Sequence, residues 1–251
     1  MQSTSEHRRP TARAEEIAKF DHLAARWWDP NGPMAPLHRM NPVRVRWIVE
    51  RLARAHGRDP AAPDALSGLS VLDVGCGAGL ASEALARHGA EVTGLDAAGE
   101  ALEVARTHAA AESLSIRYRA GAPEDLLPEA AGQFDAVLAL EVVEHVAERT
   151  AFLHHLTQLA RPGSGMVILS TLNRTPRAFL LAKLGAEYLL RWLPPGTHDW
   201  RMFVTPAELG AELRAAGLRV TDIAGMTLDP LRGAFRITRD VGVNYLLAAQ
   251  R

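Results

Sequence analysis

VLDVGCGAGL, running from Val71 to Leu80, is the stretch that decides the fold. It opens as a short apolar run, continues with Gly75, Gly77 and Gly79 at alternate positions, and passes at Leu80 into a segment of helical periodicity. A strand that enters a helix through such a turn brings backbone close to a ligand at the carboxyl end of a parallel sheet. Asp96 ends the next predicted strand, about twenty residues beyond the turn, where a carboxylate can accept hydrogen bonds from both hydroxyls of a ribose. Asp73, just before the turn, either orients the loop or faces an amino group of the ligand. A dinucleotide site would carry glycine or alanine three residues after the second glycine, and that position is Leu80. The GxGxG spacing therefore suits a nucleoside ligand without a pyrophosphate. A tight structural turn with no ligand is the plainer alternative, and strand, turn, helix and acid in register weigh against it.

Outward from that turn, short apolar runs alternate with helical segments, as parallel strands joined by crossover helices do. Strands are predicted over residues 70–74, 91–95, 115–120, 136–140, 166–170, 219–223 and 243–248. Helices are predicted over 80–88, 99–111, 148–159 and 206–216, with a helix-rich stretch over 176–193. The fold class is α/β, with a doubly wound, mostly parallel sheet of seven strands. Residues 15–56 read as helix, broken by DPNGP at Asp29 to Pro33 and by Pro36 and Pro42, and a loop over 57–68 leads into the sheet. The expected organisation is a disordered N-terminus over 1–14, a helical extension and linker over 15–68, and a main domain over 69–251 with an inserted amphipathic helical segment at about 174–200. There is no internal repeat and no low-complexity tract.

A chain of 251 residues, 47% hydrophobic and 23% charged, can bury one sizeable core. Twenty-eight Lys and Arg against 29 Asp and Glu leave a formal charge of −1, so no whole-molecule field favours nucleic acid or an anionic membrane. Any attraction to a membrane has to be local. The single cysteine, Cys76, cannot form an internal disulfide and fits a reducing, cytoplasmic setting. The N-terminal residues lack the apolar core of a secretion signal, and no apolar run is long enough to span a bilayer. A cytoplasmic protein is expected rather than an exported or integral one.

Several constellations bear on chemistry. GAPEDL places Glu124 and Asp125 after the third strand, at the same sheet edge, within reach of an adenine, although exposed acids after a strand are common. ALEVVEHV places Glu141, Glu144 and His145 at i, i+3 and i+4, on one face if a helical turn begins there. Two carboxylates and an imidazole can hold a divalent cation, or His145 alone can act as general base. The plainer reading is a pair of acids at a helix start with an incidental histidine. Arg44 can meet a ligand carboxylate through two parallel hydrogen bonds, or be a solvated surface arginine. Trp27 and Trp28 either cap the crevice or anchor a helix to the core. Residues 174–193 mix Phe179, Leu180, Leu184, Tyr188, Leu189, Trp192 and Leu193 with Arg174, Arg177, Lys183 and Arg191, a pattern for a membrane interface, an apolar substrate cover, or an ordinary amphipathic helix.

These residues carry a resemblance over nearly the whole chain: EEIAKF at Glu15, RWWD at Arg26, PLHRMNPVR at Pro36, VLDVGCGAG at Val71, VTGLD at Val92, EVVEHV at Glu141, STLNRT at Ser170, GAEYLLRWLPPGTHDW at Gly185 and VNYL at Val243. The chain resembles the ubiquinone-biosynthesis O-methyltransferases, class I S-adenosylmethionine (SAM)-dependent enzymes of Rossmann-like fold that methylate hydroxyls of polyprenylated catechol intermediates. The glycine turn is shared by many methyltransferases, whereas RWWD, PLHRMNP and GTHDW are far more specific. The resemblance implies that Arg44, Gly75, Asp96 and Leu140 contact SAM; Asp73, Gly77, Gly79 and Glu124 join the candidate cofactor site from the reading of the turn and of GAPEDL above. It also puts Glu141, Glu144 and His145 at a site that in related enzymes holds a divalent cation such as Mg2+. It further implies that a helix at about 177–193 meets the inner face of a membrane, through which a long-tailed phenol or quinol arrives, and that other enzymes of the pathway are partners. Departures from the family pattern are the longer loop at Gly57 to Gly68 and the valines of EVVEHV. Methyl transfer to a soluble phenol or catechol, a SAM- or lipid-binding module without catalysis, and a nicotinamide reductase, disfavoured by Leu80, are the alternatives.

Overall fold

The structure is a computed structural model and describes residues 23–181, 200–229 and 233–251. The expected disorder over 1–14, the start of the helical extension and most of the amphipathic segment after Leu181 lie outside the described residues. Eight strands form one sheet: β1 (Ser70–Val74), β2 (Glu91–Asp96), β3 (Arg117–Ala120), β4 (Ala136–Leu140), β5 (Met166–Leu172), β6 (Arg219–Asp229), β7 (Ala234–Thr238) and β8 (Asn244–Gln250). Their order is β3-β2-β1-β4-β5-β8-β6-β7. The first five are mutually parallel, while β8 runs antiparallel to both β5 and β6 and β7 runs antiparallel to β6. The helices are α1 (Ala35–Ala55), α2 (Leu80–Arg87), α3 (Gly99–Ala111), α4 (Pro123–Ala130), α5 (Arg149–Leu159), α6 (Pro176–Phe179) and α7 (Pro206–Ala215).

Strands β4 and β5, AVLAL and MVILSTL, are buried at every position, as expected of parallel strands covered on both faces. Successive residues point to opposite faces. Leu138, Ile168 and Leu246 join one core with Trp47, Ile48 and Leu52 of α1 and Leu85 of α2. Ala139, Leu169 and Leu247 join the other with Phe152 and Leu156 of α5 and Leu209 and Leu213 of α7. The described part of the N-terminal extension is thus built into one face of the sheet.

Two expectations change. The sheet has eight strands rather than seven, because β6 runs on to Asp229 and folds back as β7 along the outer edge. That return needs Gly225, where a Cβ would stand 1.8 Å from the carbonyl oxygen of Asp240. Pro42 does not break the N-terminal helix. Pro36 sits in its first turn, Pro42 lies inside it, and burial of Met40, Val45, Trp47, Ile48, Val49 and Leu52 outweighs the hydrogen bond that a proline removes, a cost of about 3 kcal/mol. After β3, GAPEDL leads into a helix: Pro123 opens α4, and the Asp125 carboxylate accepts from the Ala122 N–H at 2.9 Å.

Candidate active site

The strand order reverses between β1 and β4, and a crevice at the carboxyl end of a parallel sheet forms at such a switch point. The glycine turn leaves β1 there. Gly75, Gly77 and Gly79 have φ of +70°, +53° and +87°, a region that a Cβ penalises. Space adds a second requirement: a Cβ on Gly75 would stand 2.5 Å from Cγ2 of Val142, just past β4, and one on Gly77 would stand 2.3 Å from Cζ2 of Trp27. The turn is wedged between the end of β4 and the N-terminal extension. The Gly75 N–H donates to the Leu95 carbonyl at 2.7 Å, and the Gly77 N–H donates to Asp96 Oδ2 at 2.7 Å. Asp96 Oδ1 accepts from the Ala98 N–H at 2.8 Å, so the carboxylate is oriented by backbone on both sides. Cys76 is buried in this turn, and burial, with Asp96 and Asp73 nearby, raises its thiol pKa, which leaves it an unreactive small residue.

Arg44 and Asp73 are both buried. Asp73 Oδ2 accepts from the Ser82 hydroxyl of α2 at 2.6 Å, which ties β1 to the helix beyond the turn. Burial pushes the Asp73 carboxyl up to about 6, against the Ser82 hydrogen bond and Arg44. Burial likewise lowers the pKa of Arg44, opposed by the charges of Glu141 and Asp73. Arg44 donates through Nε to Asn41 Oδ1 at 3.0 Å, and its two terminal nitrogens make no hydrogen bond or ion pair with a protein group among the described residues. A buried guanidinium with unused donors has the chemistry to receive a carboxylate. The solvated-surface reading of Arg44 does not hold.

Glu141, Glu144 and His145 follow β4, but not as one face of a helix. Glu141 has φ of +59°, residues 143–145 form a turn in which the His145 N–H donates to the Val142 carbonyl at 2.8 Å, and α5 starts only at Arg149. Glu141 Oε1 accepts from the Ser170 hydroxyl at 2.7 Å, and both its oxygens accept from Asn244 Nδ2 at 3.1 Å. Glu144 Oε2 accepts from the Thr171 hydroxyl at 2.8 Å. Burial, and then Glu141, pushes the Glu144 carboxyl up to about 7, while His145 holds it back. Each carboxylate is therefore taken up by β5 or β8. Among the described residues no three His, Cys, Asp or Glu side chains are grouped to hold a metal ion, so the cation set expected of Glu141, Glu144 and His145 is not assembled in this arrangement.

The remaining expected residues sort by their partners. Leu140 is buried at the end of β4, in the crevice wall. Glu124 is buried at the start of α4, with its Oε2 3.5 Å from Nδ1 of His155 of α5. Trp27 packs with Met34 and Ala78 against the turn, and Trp28 Nε1 donates to the Ala78 carbonyl at 3.0 Å while its ring stacks on His108 at 3.5 Å. Both tryptophans anchor the extension to the glycine turn, in line with the anchoring reading of the pair. Asn41, Ser170, Thr171 and Asn244 lie inside the motifs quoted above, but neither they nor Ser82 are marked there as partners of the charged groups. Asn41 reaches Arg44 along one turn of α1 and Ser82 reaches Asp73 across the glycine turn, while sheet order brings Ser170, Thr171 and Asn244 to Glu141 and Glu144.

The segment 72–168 matches the family model described as a methyltransferase domain. A ubiquinone biosynthesis O-methyltransferase of Methylobacterium nodulans is 49% identical over 98% of this chain and 98% of its own length. One from Azorhizobium caulinodans is 51% identical, covering 94% of this chain and 92% of its own. The chain belongs to the ubiquinone biosynthesis O-methyltransferase family. It is a SAM-dependent methyltransferase. Its fold is similar to that of magnesium protoporphyrin IX methyltransferase from Synechocystis, solved with bound SAH, at a TM-score of 0.64, 24% identity and 94% and 99% coverage of the two chains. A SAM-dependent methyltransferase from Aquifex aeolicus has a TM-score of 0.60 at 16% identity, with 93% and 97% coverage.

Proposed function

We propose that this chain transfers the methyl group of SAM to a catechol-type hydroxyl of polyprenylated ubiquinone precursors, of the 2-polyprenyl-6-hydroxyphenol and 3-demethylubiquinol type. The observation that carries the reading is the buried Arg44, with its terminal nitrogens unused and the charges of Asp73 and Glu141 nearby, in a chain about half identical to enzymes so named. SAM supplies an electrophilic methyl carbon on a sulfonium. Asp96 binds the ribose, Arg44 the carboxylate, and the glycine turn and Leu140 bound the adenosine.

The acceptor oxygen forms a bond to the methyl carbon as the carbon–sulfur bond breaks, and the hydroxyl proton must leave. A free phenol has a pKa near ~10, so little phenolate exists at neutral pH without help. His145 takes the proton, and the buried Glu144 beside it stabilises the resulting imidazolium. Glu141, pinned by Ser170 and Asn244, orients the acceptor. Alignment of the two reacting atoms supplies much of the remaining acceleration. No step is routed through a cation, because the three side chains do not form a ligand set.

Leu180 and Leu181 are 55% and 49% exposed at the end of the described part of the amphipathic segment. Such exposed leucines support a membrane-facing role at about 177–193, at the inner face, where a prenyl tail is presented. No helix among the described residues is long and apolar enough to cross a membrane. Association with other enzymes of the pathway follows from the same setting. The test is production of S-adenosylhomocysteine from prenylated and unprenylated catechols. Equal turnover on both would transfer the assignment to soluble phenols, and mass spectrometry of quinone precursors accumulating in cells lacking the protein identifies the step.

A further inference from the structure

Asn41 lies one turn before Arg44 on α1 and is buried. Its oxygen accepts from Arg44 Nε at 3.0 Å, and its nitrogen donates to the carbonyl of Leu80, the first residue of α2 after the glycine turn, at 2.9 Å. The two bonds fix which way the amide faces. Flipped, it would set oxygen against the Leu80 carbonyl and nitrogen against an arginine N–H.

We propose that Asn41 is a positioning residue for the cofactor, holding Arg44 by Nε so that its two terminal nitrogens stay available to a carboxylate. The inference rests on the reading of Arg44 given above. Asp73 and Glu141 both act on Arg44 as nearby negative charges, and in a buried setting either would draw a free guanidinium into a direct ion pair. A neutral acceptor at Nε fixes the plane of the guanidinium without neutralising it. An anionic one would satisfy the charge and compete with the ligand. Because the same amide also grips Leu80, the arginine and the glycine turn are held as one unit, which fixes the distance between the ligand's carboxylate and its nucleoside.

The test is calorimetric titration with two ligands. S-adenosylhomocysteine carries the amino-acid carboxylate, and 5′-methylthioadenosine has the same nucleoside and thioether without it. In Asn41→Ala, and in the near-isosteric Asn41→Asp, each checked for a parent-like melting transition, affinity for S-adenosylhomocysteine should fall by about tenfold or more, as loss of a charge-assisted bond implies. Affinity for 5′-methylthioadenosine should stay within about twofold. Equal losses for both ligands would make Asn41 a structural brace of the turn and overturn the proposal, as would an unchanged affinity for S-adenosylhomocysteine. Arg44→Ala separates the two levels. If it leaves the preference for the carboxylate ligand intact, the reading of Arg44 fails; if it abolishes the preference while both Asn41 variants keep it, the role of Asn41 alone fails.

Discussion

Gly77→Ala sets a methyl group where the structure holds a tryptophan. The backbone at Gly77 has φ of +53°, which costs an L-residue about 1–2 kcal/mol. The new Cβ would also lie 2.3 Å from Cζ2 and 2.6 Å from Cη2 of Trp27, a ring that is 6% exposed and packed with Met34 and Ala78. The indole must move away by more than a bond's thickness, and it cannot do so without uncovering part of its surface. A buried tryptophan hides roughly 150–250 Å², and losing half of that costs about 2–3 kcal/mol. The total is about 3–5 kcal/mol, against a net stability of about 5–15 kcal/mol for a typical domain. Gly57→Ala is the control: its φ is +66°, but no atom lies within 4 Å of the added Cβ, so it carries the backbone cost alone. Urea unfolding should show the midpoint of Gly77→Ala falling by about 1 M or more and that of Gly57→Ala by a fraction of this. In a Trp27→Ala background the clash is gone, and adding Gly77→Ala should cost only the backbone share. Equal midpoints for Gly77→Ala and Gly57→Ala, or strict additivity with Trp27→Ala, would refute the wedge.

Asp96→Ala removes the acceptor of two backbone N–H groups as well as the proposed ribose contact, and SAM affinity measured by calorimetry should fall by more than about tenfold; an unchanged affinity would remove Asp96 from the cofactor site. Glu144→Gln should keep SAM affinity and lose most turnover in single-turnover assays, since it spares the crevice and removes the charge beside His145. Asp73 is raised to about 6 from an ordinary 3.8, so the native state holds its proton more tightly than the unfolded chain, and its share of stability, about 3 kcal/mol, is present at low pH and lost as pH rises through about 4 to 6. Asp73→Asn lacks that titration, so the stability difference between variant and parent should move in the variant's favour across this window; a constant difference would contradict the burial argument. Deleting the exposed apolar side chains in Leu180→Ser/Leu181→Ser should weaken sedimentation with anionic vesicles without lowering SAM affinity.

Much of this was legible along the chain. VLDVGCGAGL announces strand, turn and helix because apolar period, glycine spacing and helix onset are local properties, and Asp96 is found by counting along one βαβ unit. Burial of β4 and of the MVIL half of β5 likewise follows from their apolar runs. The tertiary structure decided how charges were spent. Whether Arg44 was solvated, and which protein groups Glu124, Glu141 and Glu144 meet, depended on Asn41, His155, Ser170, Thr171 and Asn244, neutral or weakly basic side chains whose contacts no local pattern predicts. Asn244 lies more than a hundred residues from Glu141 and reaches it because β8 inserts beside β5, a pairing that strand propensity does not encode. Sequence alone determined the fold class and the kind of cofactor, since those rest on short-range patterns; partner choice among buried polar groups was settled by long-range packing, where each donor and acceptor must be satisfied by whatever the sheet order places within 3 Å or so.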